Sequence, residues 1–534
     1  MDKRFSRLRM YLQKRRYKVK RIHKEWVGFG TGLKAVLKDL FIVFQLSLLV
    51  ALYSAFVYYV PYAFYVCLGL TVLTAVYVGV FEKDIQAKIS WILLFAASFG
   101  CGFIIYLLAS KPVSYGWQRI RFAKIAKRVK LPETEAEREN LYPAEKEAAL
   151  ALAAEREKTA AESYLNLNGF KTFSGTAGKY YANARAILDN LIARIDAAEK
   201  FVFMEFFIVA DGVLLDRLVS IFRRKTAEGI PVYMLYDDVG SAGVFSDFMK
   251  DTLRAAGVKL KAFANLFSPF YFGLNFRDHK KIVVVDGKTG YAGGFNLIDD
   301  CANQRKMEGV WKDSGIRLDG AAVDGLSVAF MRQWELATRE KLDPEKFLNN
   351  YSREEGLGHF VPYAGGPEIK PYICREVYAK IIDEAEEKLY IMTPYLVPDS
   401  GIMKKLIKKA GEGVDVRLVL PGVPDYRYIY RVTTSNARAL MKRGIKIYYA
   451  GGEFVHSKVM QNEKCAAVGS VNLDMRAFYQ EFDNGVLTDD ESVMQGITED
   501  FDWIFECNVP ETRGKVNPIG ALITLVLRIV SPLM

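Results

Sequence analysis

The chain carries four histidines, at positions 23, 279, 359 and 456, and two of them open the same triplet. His279-Lys-Lys281 and His456-Ser-Lys458 both read H-x-K. Alternate residues of an extended strand share a face, so each triplet sets an imidazole beside an ammonium. That pairing suits a phosphate ester: the lysine holds phosphoryl oxygens while the imidazole attacks phosphorus or moves a proton. A single H-x-K is common on surface strands and means little; its recurrence in matching surroundings carries the inference. Glycine and asparagine follow each triplet, in Gly293-Gly-Phe-Asn296 and in Gly469-Ser-Val-Asn472. Asn296, Ser470 and Asn472 are therefore candidate ligands for phosphoryl oxygens beside Lys281 and Lys458. A carboxylate also follows each triplet, Asp286 after the first and the longer Glu463 after the second, where Gln461-Asn462 interrupts the apolar run. Each acid is expected to orient its imidazole from behind.

The elements that position these residues repeat as well. Ala198-Glu-Lys-Phe-Val-Phe-Met-Glu-Phe-Phe-Ile-Val answers to Ala385-Glu-Glu-Lys-Leu-Tyr-Ile-Met-Thr-Pro-Tyr-Leu-Val, each a helix end running into an apolar strand. Gly229-Ile-Pro-Val-Tyr-Met-Leu and Gly413-Val-Asp-Val-Arg-Leu-Val-Leu come next, then Ala256-Gly-Val-Lys-Leu and Arg443-Gly-Ile-Lys-Ile, and both series end at an H-x-K. A duplicated α/β unit with mainly parallel sheets is the expected fold. The boundaries fall at 166–355 for the first unit and 356–516 for the second.

Ahead of the units, residues 40–81 contain no charge, and 42 positions at about 1.5 Å each reach roughly 63 Å, enough for two crossings of a ~30 Å hydrocarbon core. A further uncharged run spans 89–110, so three membrane spans are expected, 41–60, 62–81 and 89–110, followed by a helical juxtamembrane linker, 111–165. Residues 517–534 are expected to form an apolar, membrane-associated end. The net charge is +11, but residues 1–40 hold thirteen Lys or Arg against Asp2, Glu25 and Asp39, leaving the rest near neutral. A nucleic-acid groove needs its positive charge beside the site, whereas a basic cytoplasmic tail next to apolar spans suits anionic lipid headgroups or sets topology. No nucleic-acid partner is expected. The six cysteines are scattered without a C-x-x-C pair, so no disulfide framework, metal site or cofactor is expected. His23 belongs to the basic tail, and His359, near Pro362 at the join of the units, reads as structural.

With its two H-x-K motifs the sequence resembles the phospholipase D superfamily, and within it the bacterial cardiolipin synthases. The similarity extends to Asn275-Phe-Arg-Asp-His-Lys-Lys-Ile-Val-Val-Val-Asp-Gly287, to Trp311-Lys-Asp313, to the loop Phe81-Glu-Lys-Asp84 with Ser90-Trp91, and to the tail Arg528-Ile-Val-Ser-Pro-Leu-Met534. The extra leading span, 41–60, is not part of that family's core. The resemblance implies a multi-pass protein of the bacterial cell membrane acting on phosphatidylglycerol, with homo-oligomer formation left open. It implies a phosphatidyl-histidine formed on His279 with release of glycerol, and His456 as general acid and base. It also implies that Glu205 lines the site, and it places Glu481 where relatives have polar site residues. Alternatives stay open: a hydrolytic phospholipase D, a transferase using another alcohol or donor lipid, or a catalytically decayed lipid-binding protein, to which Glu463 points.

Overall fold

The computed structural model describes residues 62–82, 85–98, 102–109, 111–131, 169–263, 276–303, 309–352, 358–367 and 372–511, with a few isolated positions besides. The basic tail 1–40, nearly all of the expected span 41–60, the later part of the linker, Asn275 and nearly all of 517–534 lie outside the described residues.

The first unit contributes β1 (Thr176–Tyr181), β2 (Val202–Phe206), β3 (Val232–Asp237), β4 (Lys259–Phe263), β5 (Ile282–Val285), β6 (Thr289–Gly293), β7 (Val310–Lys312) and β8 (Gly315–Gly320). The second contributes β9 (Phe360–Gly365), β10 (Lys388–Met392), β11 (Leu396–Val397), β12 (Asp415–Pro421), β13 (Lys446–Ala450), β14 (Glu453–Val455), β15 (Val459–Asn462), β16 (Ala466–Gly469), β17 (Leu473–Asp474) and β18 (Asp483–Thr488). Two seven-stranded sheets result, ordered β1-β8-β6-β5-β2-β3-β4 and β13-β12-β10-β15-β16-β18-β9. Reversed, the second order matches the first strand for strand, which is the duplication seen in the sequence.

The sheets are mixed, and this corrects the expectation of mainly parallel ones. In the first, β2–β3 and β3–β4 are parallel while β2–β5, β5–β6, β6–β8 and β1–β8 are antiparallel. The second repeats the pattern, with β10–β12 and β12–β13 parallel and the other pairings antiparallel. Helices of 15 and 9 residues, Val213–Ala227 and Asp247–Ala255, cross over between the parallel strands. β5 and β6 are joined by only Asp286, Gly287 and Lys288, too short for anything but a hairpin. Asp286 and Gly287 both take the left-handed conformation, φ 58° and 67°, which Asp tolerates and Gly adopts freely.

The outer face of each sheet is covered by its own helices. Between the units runs one continuous apolar cluster to which Phe203, Phe330, Trp334, Tyr390, Phe482 and Phe501 all belong. Each such aromatic removed from water contributes about 1.5–3 kcal/mol, so the two units share a core and hold a fixed relation to each other. The helix Lys111–Arg128 is tied to this body: Ile125 is buried in the shared cluster, Arg121 donates to the Glu335 carbonyl at 2.6 Å, and Arg128 pairs with the Glu335 carboxylate.

Among the described residues one helix, the 19-residue Ala63–Phe81, is long and apolar enough to cross a membrane. Few of its side chains are buried, unlike those of a core helix. The expected span 89–110 is instead divided between Ile85–Ala97 and Gly102–Ala109. The Ser98 hydroxyl donates to the Phe95 carbonyl, and Gly100 turns left-handed at φ 89°, so the helical ladder stops between the two pieces.

Candidate active site

Each H-x-K lies in an extended segment that crosses from its own sheet to the other unit. The His279 amide donates to the Phe482 carbonyl at 2.9 Å, and the His456 amide donates to the Lys312 carbonyl at 2.7 Å. β14, just ahead of His456, pairs in parallel with β7, and Asp278 bridges Phe482 in the same sense. The residue after each of those carbonyls is an aspartate. His279 Nδ1 lies 2.9 Å from Asp483 Oδ1, and His456 Nδ1 lies 2.7 Å from Asp313 Oδ2. The His279 and His456 imidazoles are thus each clasped by a carboxylate of the opposite unit, and neither unit alone completes either of these two pairs.

A carboxylate accepting Nδ1–H fixes the tautomer that leaves Nε2 with its lone pair. Lys281 and Lys458 are fully buried and donate to the carbonyls of His279 and His456. Burial and the opposing Lys458 bring Lys281 down to about 7, and burial brings Lys458 down to about 8. Burial, with Lys281 and Lys458 nearby, holds His279 well below the ordinary imidazole value. Burial and Lys458 also lower His456, against the pull of Asp313. Lys281 acts on both imidazoles and Lys458 on both as well, so the four groups share one electrostatic site.

The two carboxylates differ. Burial raises Asp483 to about 7 although Lys281 opposes it and the Ser470 hydroxyl donates to Oδ1 at 2.6 Å. Burial also works to raise Asp313, but His456 and Lys458 outweigh it and hold that carboxyl below its usual range. Ser470 has Gly294 as its counterpart in the first unit, where any Cβ would collide with Asp313 Oδ1 and the His456 carbonyl. Asn296 and Asn472 are buried; Asn296 Oδ1 accepts from the Ile208 amide, and Asn472 Oδ1 has no hydrogen-bond partner among the described residues. Glu481 Oε2 stands 3.8 Å from His279 Nδ1 and pairs with Arg476 through its other oxygen. His279, Glu481 and Asp483 have the composition of a metal site, yet His279 Nδ1 and Asp483 already engage each other and Arg476 engages Glu481.

Three expected site residues sit elsewhere. Asp286 is at the far end of β5, where its carboxylate accepts from the amides of Glu199, Lys200 and Phe201 at 2.9, 2.7 and 3.0 Å. Glu463 does the same in the second unit for Glu386, Glu387 and Lys388 at 2.9, 3.3 and 3.2 Å. Both anchor the turn into a central strand, and neither reaches an imidazole; Glu in place of Asp preserves that anchor. Glu205 is fully buried on the opposite side of the strand from His279: its Oε1 accepts from Lys280 Nζ at 2.6 Å, and Lys280, the middle residue of H-x-K, points away from His279 and Lys281. Lys280 also donates to Asp278 at 2.9 Å. His359, at the edge of the second sheet, hydrogen-bonds Asp489.

Asp483 was missed, and Asp313 was noted only as part of a motif. One signal marks both: Asp313-Ser-Gly315 and Asp483-Asn-Gly485 follow their respective H-x-K triplets at similar distances and open matching strands. Replacing Asp286 by alanine strips three amides of their acceptor and puts a Cβ without local hydrogen bonding into a left-handed turn. Denaturant unfolding is expected to show a loss of roughly 2–4 kcal/mol, with kcat of the folded fraction changed less than about threefold; a large kcat loss in a fully stable variant would restore a role in the chemistry.

Comparison with known proteins agrees with this geometry. The family model described as "Cardiolipin synthase, PLD-like domain" matches residues 378–505. A cardiolipin synthase of Clostridium perfringens is 31% identical over 368 residues, covering 66% of this chain and 76% of that protein. Cardiolipin synthase A of Pseudomonas putida is 32% identical over 365 residues, covering 67% and 74%. Among solved structures, phosphatidylserine synthase of Haemophilus influenzae superposes with a TM-score of 0.55 at 14% identity, over 71% of this chain and all of that one, a likeness of fold. An enzyme of the phospholipid phosphotransferase type is what these relatives have in common with the paired histidines, and the chain belongs to the bacterial cardiolipin synthase family of the phospholipase D superfamily.

Proposed function

We propose that the enzyme joins two phosphatidylglycerols, releasing glycerol, through a phosphatidyl group carried on His279. The observation that carries this reading is the crossed clasp: two imidazoles, each held by a carboxylate of the other unit, beside two buried lysines. His279 Nε2 attacks the phosphorus of the first lipid, the bond from phosphorus to the glycerol oxygen breaks, and the protonated His456 gives its proton to that oxygen. The hydroxyl of the second phosphatidylglycerol then attacks phosphorus, His456 takes its proton, and the phosphorus–nitrogen bond breaks. Lys281 and Lys458, with Asn296, Asn472 and Ser470 around them, stabilise the charge gathering on the phosphoryl oxygens.

The division of labour between the histidines rests on their partners. Asp313, held ionised, suits an imidazole that must become imidazolium and back, whereas Asp483, with its raised pKa, suits one that stays neutral until it bonds to phosphorus. The organisation proposed is a basic tail 1–40, a multi-pass membrane region 41–110, a linker 111–165, the two units 166–355 and 356–516, and an apolar end 517–534. Incubating the full-length protein in neutral detergent micelles with labelled phosphatidylglycerol is expected to yield cardiolipin and glycerol in equal amounts. Phosphatidic acid as the main product would replace this reading by hydrolysis.

The pKa directions predict a narrow bell in kcat/KM. Activity falls as pH drops through about 7, where Asp483 takes up a proton and no longer accepts from Nδ1–H. It falls again as pH rises through about 7 to about 8, where Lys281 and Lys458 lose their protons. A bound phosphodiester favours the ammonium forms, so the alkaline limb of kcat lies above that of kcat/KM. Steady-state rates between about pH 5.5 and about pH 9 check this, and a flat profile contradicts it.

A further inference from the structure

The helix Arg427–Met441 covers the outer face of the second sheet. Val432, Thr433, Asn436, Ala437 and Leu440 face inward and are buried. Its outward stripe reads Arg427, Tyr430, Arg431, Thr434, Arg438 and Met441, a spacing of three, four and seven residues that keeps all six on one face. The helix contains three arginines and no acid. Among the described residues none of these three guanidiniums has an ion pair or a hydrogen bond, whereas the helices Asp247–Ala255, Ile373–Glu384 and Ser400–Gly411 carry i,i+3 or i,i+4 pairs.

Along this stripe runs an open groove of about 640 Å³, closed on its far side by Tyr449, whose ring stands 6.4 Å from that of Tyr430. Among the described residues Glu511 is the one carboxylate lining it, against three guanidiniums. At the groove's end the helix begins with no side-chain cap and no acid in its first turn, so its amides and dipole add to the positive potential. Tyr426 and Tyr428 are 53% and 45% exposed there, amphipathic rings of the kind that settle at a lipid headgroup layer. At that end Asp425 accepts from the Tyr395 hydroxyl and the Tyr426 amide, and its charge is felt at Lys458 as that of Arg476 is at Tyr426.

We propose that this groove binds the phosphate of an anionic phospholipid headgroup, holding a second lipid beside the reacting one through Arg427, Arg431 and Arg438. Guanidiniums left unpaired among phenol rings, in a protein whose reaction as proposed above uses two anionic lipids, are complementary to a phosphodiester and its glycerol. The inference rests on that reading for the identity of the lipid. Its test does not require turnover.

Equilibrium dialysis of dihexanoylphosphatidylglycerol against the full-length protein in neutral micelles, carrying His279→Ala to prevent reaction, is expected to show two lipids per chain. Adding Arg427→Gln, Arg431→Gln and Arg438→Gln is expected to leave one, with the second site weakened at least about tenfold. The corresponding triple Lys variant retains two sites, and Arg431→Gln alone weakens the second site part-way, so the result stands even if the triple Gln protein does not fold. Dihexanoylphosphatidylcholine binding does not respond to the Gln substitutions. Inorganic phosphate at equal concentration leaves the groove lipid in place. Unchanged stoichiometry in the Gln variant overturns the proposal, as it would if the chain beyond Glu511 or a second copy filled the groove. Full displacement by inorganic phosphate overturns it in favour of a free-anion site. One lipid bound at the histidines with no cardiolipin formed by the parent enzyme would instead count against the transferase reading alone.

Discussion

Replacing His279 by alanine is expected to lower cardiolipin formation by at least about 10⁴-fold and to abolish any covalent phosphatidyl adduct, since the two-step route proposed above passes wholly through Nε2. The companion Asp483→Asn variant separates position from identity. Its amide has nearly the shape of the carboxylate, so the Ser470 contact at 2.6 Å persists, but it no longer offers a charged acceptor to Nδ1–H, 2.9 Å away. The imidazole is then free to take the tautomer with hydrogen on Nε2, which has no lone pair to offer phosphorus. A loss of about 10²–10⁴-fold in kcat is expected, with KM changed little because the lysines proposed to grip the phosphate remain. The acid limb at about 7 should disappear with the group that causes it. Quenched-flow trapping with labelled phosphatidylglycerol, followed by mapping of the labelled peptide, measures the adduct directly. Label on His456 instead of His279 would exchange the two roles, and undiminished turnover in the alanine variant would remove the mechanism.

The imidazoles and lysines were legible in the sequence because H-x-K is short, rare in a chain with four histidines, and duplicated. Their carboxylates were not, because Asp483 lies 204 positions from His279 and Asp313 lies 143 from His456, and only the docking of one unit on the other brings them together. The local acids Asp286 and Glu463 attracted the role by proximity in sequence. Strand geometry already argues against them: seven residues at about 3.3 Å each put such a carboxylate roughly 23 Å from its histidine. Glu205 misled for the same reason in reverse, since a strand that passes near the site also has a face turned away from it, and Lys280 shows which face that is. The duplicated strand order was readable from apolar runs and glycines. The hairpin direction of β5 and β6 was readable too, from Asp286-Gly287, but the apolar run Ile282-Val-Val-Val285 looks the same in a parallel sheet and an antiparallel one. In the membrane region, Ser98 and Gly100 were the marks of a break that hydropathy alone passes over.

The sharpest distinction between the two histidines lies in how each variant responds to a better leaving group. His456→Ala is expected to lose about 10³–10⁴-fold on phosphatidylglycerol, because glycerol leaves as an alkoxide unless a proton reaches it and the acceptor hydroxyl then has no base. A phosphatidyl ester of p-nitrophenol needs no proton on departure. On that substrate the His456→Ala enzyme should release close to one equivalent of nitrophenolate per active site in a rapid burst and then stall, since the second half-reaction still lacks its base. His279→Ala should give no burst at all. Asp313→Asn belongs with His456→Ala and is expected to fall between it and the parent enzyme: the imidazole stays in place, but its imidazolium loses the carboxylate 2.7 Å away that stabilises it. Gly294→Ala tests the same pair while leaving both residues in the chain, because its new methyl would press on Asp313 Oδ1 and the His456 carbonyl. If the burst appeared in His279→Ala and vanished in His456→Ala, the near-symmetry of the two clasps would have been read in the wrong direction, and the ionised Asp313 would have to be understood as the partner of the nucleophile.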